Sequence, residues 1–212
     1  MFLEILVAIA KGLPLTILVT LAALAIGLVL GLLLALAMRS RPAIVRLPAR
    51  GVVNVVRAVP VLMWLFLLYF GVTIGTFTFD PLTAAIIVLG TTTAAYLAEA
   101  YRTAFDAVDR GQFEAARAIG LTRGQELFHV ILPQVFRVAI PAMSTFALTL
   151  LKDSSIPSVI GVMEISHYTT AVARSTGEGL TAYTAAAVFY LVLSVALGLA
   201  GRVLSERLKV NA

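Results

Sequence analysis

The sequence contains no cysteine, which excludes disulfide bonds and thiolate metal sites. Its two histidines, His129 and His167, lie far apart in the chain, so no metal site is predicted. It has no GxxxxGK(S/T) phosphate loop, no nucleophile elbow and no other catalytic cluster. We therefore expect no catalytic residue in this chain and no ATPase of its own.

Charged residues are also scarce, at 13% of 212 residues, whereas apolar residues reach 60% against about 45–50% in soluble domains. The apolar excess lies in runs of roughly 20 residues, the length at which a helix crosses a bilayer. A net charge of +5 can indicate nucleic-acid binding or the basic cytoplasmic loops of a membrane protein, and the runs favour the second. We predict an all-α polytopic membrane protein, with residues 1–212 as one transmembrane domain and no nucleic acid as partner.

Five membrane-spanning helices are predicted from these runs. Their approximate bounds are Pro14–Met38, Val52–Val72, Leu82–Phe105, Ile131–Leu151 and Leu180–Leu199. Met1–Leu13 lacks the basic start of a cleaved signal, so we expect it to be retained, as an interfacial helix on the outer surface or as a frayed terminus. Pro60 predicts a bend in the second span, either in a moving, cavity-lining helix or as a structural kink. The half-apolar stretch Lys152–Gly179 predicts a re-entrant or surface helix.

The basic residues are distributed very unequally between the segments that join these spans. The segments assigned to the inner side contain Arg39, Arg41, Arg46, Arg50, Arg57, Arg102, Arg110, Arg117, Arg123, Arg137, Arg202, Arg207 and Lys209. The outer segments hold only Lys11, Lys152 and Arg174. Because Lys and Arg accumulate in cytoplasmic loops, the N-terminus is predicted outside and the C-terminus in the cytoplasm.

Small residues recur every four positions in the first span, at Ala23, Gly27, Gly31 and Ala35. Such a stripe lets a second helix approach closely. Such a stripe can also occur simply because small residues are common in membrane helices. We favour helix packing as the interpretation.

A charged, helix-forming segment at about 106–130 interrupts the apolar chain. The sequence predicts a turn at Asp109–Gly111 and a short helix at Gln112–Ile119, which Gly120 ends. Thr122–Gln125 has the form of a capping box that starts a second helix, which Pro133 is expected to break or redirect near the membrane. The small side chains at 115, 116 and 118 would let the short helix sit deep in a groove on a partner, although an ordinary amphipathic loop helix fits the capping pattern equally well.

Glu114-Ala115-Ala116, followed by Gly120 and then Ile131-Leu132-Pro133, resembles the EAA loop of importer-type ABC permeases. The resemblance extends over nearly the whole chain. Within that family, the chain is most similar to the polar amino-acid branch. The segments that carry it are Phe66–Gly71, Ala95–Glu99, Gly111–Gln112, Leu132–Gln134 with Arg137, Leu151–Ser155 and Ser158–Val162. It implies about five transmembrane helices in the type I importer permease (MetI-like) fold, in a bacterial cytoplasmic (inner) membrane.

Three departures from the branch pattern bear on the substrate rather than on the fold. Arg57-Ala58-Val59-Pro60 stands where Arg-Gly-Thr-Pro is usual. Thr93–Tyr96 replaces a Ser-Gly-Ala-Tyr pattern, and Ser144 lies near the position of a common asparagine. Changes of this kind could alter a solute cavity.

The resemblance implies a transmembrane permease subunit of an ATP-driven importer that translocates a polar or charged amino acid. The implied partners are an ABC ATPase dimer, which binds the ATP and magnesium, a second permease subunit, a solute-binding protein and the lipid bilayer. This chain itself would hold no cofactor. The residues implied for coupling to the ATPase are Glu114, Ala115, Ala116, Ala118, Gly120, Leu132 and Pro133.

A substrate path for a zwitterion needs both donors and acceptors. We assign it Tyr96, Glu99, Lys152, Asp153, Ser154 and Ser155. Two simpler explanations stay open: Glu99 paired with Arg102 at the inner interface, and Lys152 with Asp153 as an exposed pair on the outer surface. At the level of function, the alternatives are an importer for an opine, a compatible solute or another amino-acid-like solute, and a channel or structural membrane subunit without an ATPase.

Overall fold

A computed structural model describes residues 2–74 and 77–208. The described chain is a bundle of helices with one two-stranded hairpin, in which Thr73 pairs with Thr78 and Ile74 with Phe77. The elements are α1 (Phe2–Ala10), α2 (Leu13–Met38), α3 (Ala43–Ala58), α4 (Val61–Gly71), β1 (Thr73–Ile74), β2 (Phe77–Thr78), α5 (Pro81–Asp106), α6 (Arg110–Ala118), α7 (Arg123–Gln125), a π-helical segment (Glu126–Ile131), α8 (Leu132–Asp153), a 3₁₀ turn (Ile156–Ile160), α9 (Ile165–Thr176) and α10 (Gly179–Leu208).

α5 is the central helix of the bundle. It begins where the Asp80 carboxylate accepts a hydrogen bond from the Thr83 backbone N–H, with Pro81 at its first position. Its N-terminal half packs against α2, α4 and the end of α8, and its C-terminal half packs against α2, α3 and the start of α8. The predicted third span, Leu82–Phe105, is confirmed.

The small-residue stripe of α2 lies against α5, as predicted. A Cβ added to Gly27 would come within 2.6 Å of Thr93 Cγ2, and one added to Gly31 within 2.9 Å of Leu97 Cβ. Ala23 and Ala35, at the two ends of the stripe, are fully buried. The glycines therefore set the closeness of the two helices.

The N-terminal segment differs from the expected surface helix or frayed end. α1 and α2 form one candidate span, Phe2–Met38, of 37 residues. Ile5 and Ile9 are buried against α9 and α10. A Cβ at Gly12, between α1 and α2, would overlap the backbone of Glu164 and Ile165, so this glycine lets the start of α9 dock on the span.

The second predicted span is broken rather than kinked. α3 and α4 meet at an angle of 99°, and Pro60 lies at the break. The position of the bend was predicted, but the helix begins at Ala43 instead of Val52, because the arginines expected in a loop are good helix formers and continue it. Four helices are long and apolar enough to span a membrane, or five when this pair is counted as one.

Pro133 does not break the chain entering the fourth span. The backbone runs helically from Arg123 to Ile160, and Pro133 lies in the first turn of α8. The six-residue π-helical segment precedes it. A proline removes an N–H and crowds the carbonyl four residues earlier, and the wider π turn accommodates both effects without a break.

Segment 152–179 contains a helix, as predicted: α9 packs between α1 and α10. α10 continues to Leu208, beyond the expected end at Leu199, because the tail Arg202–Leu208 keeps helix-forming residues. Lys209, counted above among the inner charges, lies outside the described residues.

Candidate functional site

α6 is a short helix closed at both ends by its own sequence. The Asp109 carboxylate accepts from the Gly111 N–H at 2.6 Å and caps its start. At its end, the Gly120 N–H donates to the Arg117 carbonyl and the Leu121 N–H donates to the Ala116 carbonyl. This is the Schellman pattern, and it requires the φ of +81° that Gly120 adopts.

The predicted coupling residues of α6 divide between two faces. Ala116 is buried, and Phe113 packs on the hydrophobic cluster formed by α2, α5 and α8. Glu114, Ala115 and Ala118 are exposed. Ile119, just past the helix end, is 75% exposed, so a small-residue surface with one large apolar side chain faces away from the bundle.

A salt bridge that the sequence did not predict ties α6 to the following helix. Arg117 Nε and Nη2 each donate to the Glu126 carboxylate at 3.1 Å. The Glu126 side chain is only 8% exposed. The hydrogen bond to Glu126 and its charge raise the pKa of Arg117, so the guanidinium stays charged. The two residues are nine positions apart across the Gly120 turn, a separation that no helical periodicity indicates.

The connection from α6 to α8 is held by two further contacts. Thr122 and Gln125 form the predicted capping box, in which the Thr122 N–H donates to Gln125 Oε1 at 3.0 Å. Gln134 Nε2 donates to Gln112 Oε1 at 3.1 Å. Motion of α6 would therefore pass directly to the start of α8.

The last two predicted coupling residues lie apart from the exposed face of α6. Leu132 is buried among α2, α5 and α8, whereas Pro133 is exposed. Leu132 therefore anchors the start of α8 in the bundle.

Two of the predicted substrate-path residues lie together on α5. The Tyr96 ring stacks on Phe146, with centroids 5.6 Å apart, and the Arg57 guanidinium lies 5.4 Å from the Tyr96 ring centre. Glu99, one turn further along, pairs with Arg102 at 2.7 Å and with Arg57 at 3.7 Å. The expected Glu99–Arg102 pair is present, and Arg57 forms a second ion pair with Glu99.

The other four lie at the far end of α8. Lys152 is six residues beyond Phe146, or about 9 Å along the helix, and Glu99 lies on the opposite side of the Tyr96–Phe146 stack. Lys152 is exposed and Asp153 is half-buried. The hydroxyls of Ser154 and Ser155 donate to the Leu151 and Lys152 carbonyls, each at 2.7 Å. The bundle thus separates the two predicted groups.

A buried acidic residue that the sequence analysis overlooked is Glu164. Its side chain accepts from the N–H groups of Ser166 and His167 at the start of α9, at 2.9 and 2.8 Å. The Tyr190 hydroxyl on α10 donates to it at 2.8 Å. Burial raises the pKa of the Glu164 carboxyl. A lone Glu ahead of a predicted surface helix was the only available signal, and it gave no reason to expect burial.

In residues 2–74 and 77–208, no cluster of three His, Asp or Glu side chains is placed to bind a metal ion. What the described chain does offer is an apolar helical bundle with a short, rigidly capped helix exposed between two spans.

The chain belongs to the family of binding-protein-dependent transport system inner membrane components, whose family model matches residues 27–210. It is thus a multi-pass inner-membrane protein. Among its relatives is the L-cystine transport system permease protein TcyB of Bacillus subtilis, 34% identical over 94% of this chain and 86% of the relative. Another is the glutamine transport system permease protein GlnP of Escherichia coli, 31% identical over 74% of this chain and 73% of the relative.

Solved structures of similar fold agree with this family. The chain superposes on a structure described as an amino acid ABC transporter with histidines, with a TM-score of 0.86 and 30% identity over 94% of both chains. An inward-facing structure of the MetNI methionine ABC transporter matches with a TM-score of 0.75 and 23% identity, again over 94% of both chains. The second match supports the fold alone.

Proposed function

We propose that this chain is the permease subunit of an ATP-driven importer and that it translocates a polar or charged amino acid delivered by a solute-binding protein. The observation that carries the proposal is the likeness to an amino acid ABC transporter over 94% of the chain. Relatives named for cystine, glutamine and arginine transport support the same class of solute.

ATP and magnesium are bound by a partner ATPase dimer, and a second permease subunit completes the membrane path. α6 is the contact with the ATPase. Its exposed small residues allow close approach, and Ile119 supplies an apolar side chain for a groove on the partner. The Arg117–Glu126 and Gln112–Gln134 contacts pass the movement to α8.

For the solute path, the Tyr96–Glu99 region is the stronger of the two predicted groups. There an aromatic ring, a carboxylate and a guanidinium lie within contact distance of one another, which supplies both signs of charge for a zwitterion. Lys152–Ser155 lie too far along the bundle to share one solute with Glu99. We assign them to the outer end of the path.

Gly120→Pro and Glu114→Lys test the coupling role. Proline cannot adopt a φ of +81°, and lysine reverses the charge on the exposed face, so both variants should lose ATP-driven uptake. Both should still insert in the membrane, because neither residue is buried in the bundle. Uptake in reconstituted vesicles and co-purification of the ATPase are the measurements.

Gly124→Ala is the matched control. A Cβ at Gly124 meets nothing within 4 Å, so uptake should be unchanged. Normal uptake by both test variants would contradict the coupling role. If the chain never co-purifies with an ATPase, it is a channel or structural subunit instead.

The solute is tested separately, through the binding protein that stimulates transport by this chain. Mass spectrometry of the ligand that this protein retains on purification should identify an amino acid. An opine or a compatible solute in its place would keep the importer assignment and change the substrate class.

A further inference from the structure

The break between α3 and α4 is bridged by a hydrogen bond from a side chain. Trp64 is the single tryptophan of the sequence, and its indole Nε1 donates to the Val56 backbone carbonyl at 3.1 Å. Val56 lies on α3 and Trp64 on α4, so the bond crosses the 99° bend. It therefore links two helices whose backbone hydrogen bonding is interrupted at the bend.

The carbonyl that Trp64 reaches is the one that Pro60 leaves without its helical donor. In an unbroken α-helix the N–H of residue 60 would donate to the carbonyl of Val56, four positions earlier, and proline has no N–H. Val59, with φ −100° and ψ 134°, is extended, as residues before proline usually are. Trp64 thus supplies the donor that the break removes.

The two partners of this bond pack on separate parts of the bundle. Val56 packs on the cluster around Val53, which joins α3 to α2 and α5, whereas Trp64 packs on the cluster around Leu65 and the N-terminal half of α5. An apolar cavity of about 260 Å³ adjoins both partners. Because Trp64 lines this space, packing does not enclose its ring, and the hydrogen bond is what orients the indole N–H.

The residue that follows Val56 belongs to the solute path proposed above. The Arg57 guanidinium lies 5.4 Å from the Tyr96 ring centre and 3.7 Å from the Glu99 carboxylate. α3 ends one residue later, at Ala58. Fixing the Val56 backbone therefore fixes the place from which the Arg57 side chain extends.

We propose that Trp64 is a positioning residue, which holds the end of α3 in its bent geometry and thereby holds Arg57 beside Tyr96 and Glu99. Its role in transport rests on the proposed solute path, whereas its role in the bend does not. Without the bond, α3 and α4 are connected across the break only through Val59 and Pro60.

The role in the bend is tested on the full chain, purified with the subunits that accompany it and placed in nanodiscs. The sequence has no cysteine, so spin labels can be attached at Val52→Cys and Phe70→Cys, which are exposed positions on the two sides of the break. Dilution with unlabelled chain limits the measurement to distances within one chain. The wild-type residue at position 64 should give one narrow distance distribution. Trp64→Phe, which keeps a ring but has no N–H, should broaden it.

Two further variants separate the hydrogen bond from the packing of the ring. Trp64→Gln should restore the narrow distribution, because its amide can donate to the same carbonyl. Phe66→Leu is the control on the same helix, since it removes a ring that has no hydrogen-bond donor. It should leave the distribution unchanged.

The role in transport is tested by ATP-driven uptake of a mixture of radiolabelled amino acids. Trp64→Phe should lower the uptake rate about fivefold, the factor that one intramolecular hydrogen bond contributes to an equilibrium. In a Pro60→Ala background the restored backbone N–H can donate to the Val56 carbonyl. Trp64→Phe should therefore have no further effect in that background.

A narrow, wild-type distribution in Trp64→Phe would overturn the proposal, whether or not the chain transports a solute. Failure of Trp64→Gln to restore the distribution would assign the role to the indole ring instead of its N–H, and this variant decides alone if Trp64→Phe does not fold. An equal loss of uptake with Pro60 and with Pro60→Ala would exclude action through the Val56 carbonyl. Wild-type protein that takes up no amino acid would contradict the proposed function, and the distance measurement would still decide the role of Trp64 in the bend.

Discussion

Glu164 joins α9 to α10 through its carboxylate and contacts the α1–α2 junction through its backbone. It caps α9, accepts a hydrogen bond from Tyr190 on α10, and its backbone lies against Gly12 between α1 and α2. The next N–H, that of Ile165, donates to Thr16 Oγ1 on α2 at 3.2 Å. No cationic side chain is bonded to this carboxylate among the contacts of the described residues, and burial opposes its ionisation more strongly than its hydrogen bonds favour it.

The stability of the bundle should therefore depend on the protonation of Glu164. Its pKa is raised above the ordinary value of 4.5, so between those two values the folded chain binds more protons than the unfolded chain. The contribution of Glu164 to stability is then largest at or below pH 4.5 and falls as the pH rises through the raised value. Thermal unfolding in detergent from pH 4 to 8 should show this slope in the wild type and lose it in Glu164→Gln.

Glu206→Gln is the comparison for that experiment, because Glu206 is exposed on α10 and its variant should keep the wild-type slope. A slope that persists in Glu164→Gln would assign the pH dependence to other groups.

Single residues were predictable from sequence where their role is local. Gly120 and Thr122 each bond to backbone groups within four residues. Gly120 ends α6 and Thr122 caps α7, as the sequence predicts. Arg117 with Glu126, and Glu164 with Tyr190, are contacts between separate elements. Their partners are chosen by the tertiary fold, which local sequence patterns do not encode.

α2 and α5 pack closely along their length, and glycine sets the distance between them. A larger side chain on this face must displace one helix, because the opposing atoms at Gly31 are the Leu97 Cβ and the Ala94 backbone carbonyl, at 2.9 and 3.0 Å from an added Cβ. Neither can move without moving α5.

Gly31→Leu should therefore destabilise the protein by about 1–3 kcal/mol, the usual range for overpacking a tight interior. We expect a lower yield of folded protein and a lower midpoint in thermal unfolding. Gly198→Ala in α10 is the control, because a Cβ there meets nothing within 4 Å. An unchanged midpoint for Gly31→Leu would mean that the two helices are not held at this distance.

At the scale of elements, the sequence predicted the long helices and misjudged the irregular ones. α2, α5 and α8 are long apolar runs, and hydropathy identifies such runs directly. α3 is amphipathic and arginine-rich, so the same criterion treated its first half as a loop. The π-helical segment has one more residue in a turn than an α-helix. The spacing of apolar residues in the sequence cannot reveal so small a difference.

For the whole molecule, the distribution of basic residues predicts the orientation in the membrane. α3, α6 and the C-terminal ends of α2 and α5 carry seven of the thirteen arginines, whereas α9 and the 3₁₀ turn lie at the opposite end of the bundle. We expect the arginine-rich end to face the cytoplasm.

The absence of native cysteine makes this orientation easy to test. Thr176→Cys, at the exposed end of α9, should react with a membrane-impermeant maleimide in intact cells. Arg123→Cys, exposed beyond α6, should react only after the membrane is opened. The reverse labelling pattern would invert the topology and remove α6 from the side where an ATPase can reach it.

The π-helical segment Glu126–Ile131 has a geometric meaning for the contact proposed between α6 and the ATPase. A π turn holds one residue more than an α turn, so it fixes the angular phase between the helix before it and the helix after it. If the same six residues formed an ordinary α-helix, the α6 side would be turned by about 100° about the helix axis relative to α8. The membrane bundle would keep its packing, but the small-residue face of α6 would point in another direction. The direction of the proposed contact surface is thus set by the count of residues in a single turn.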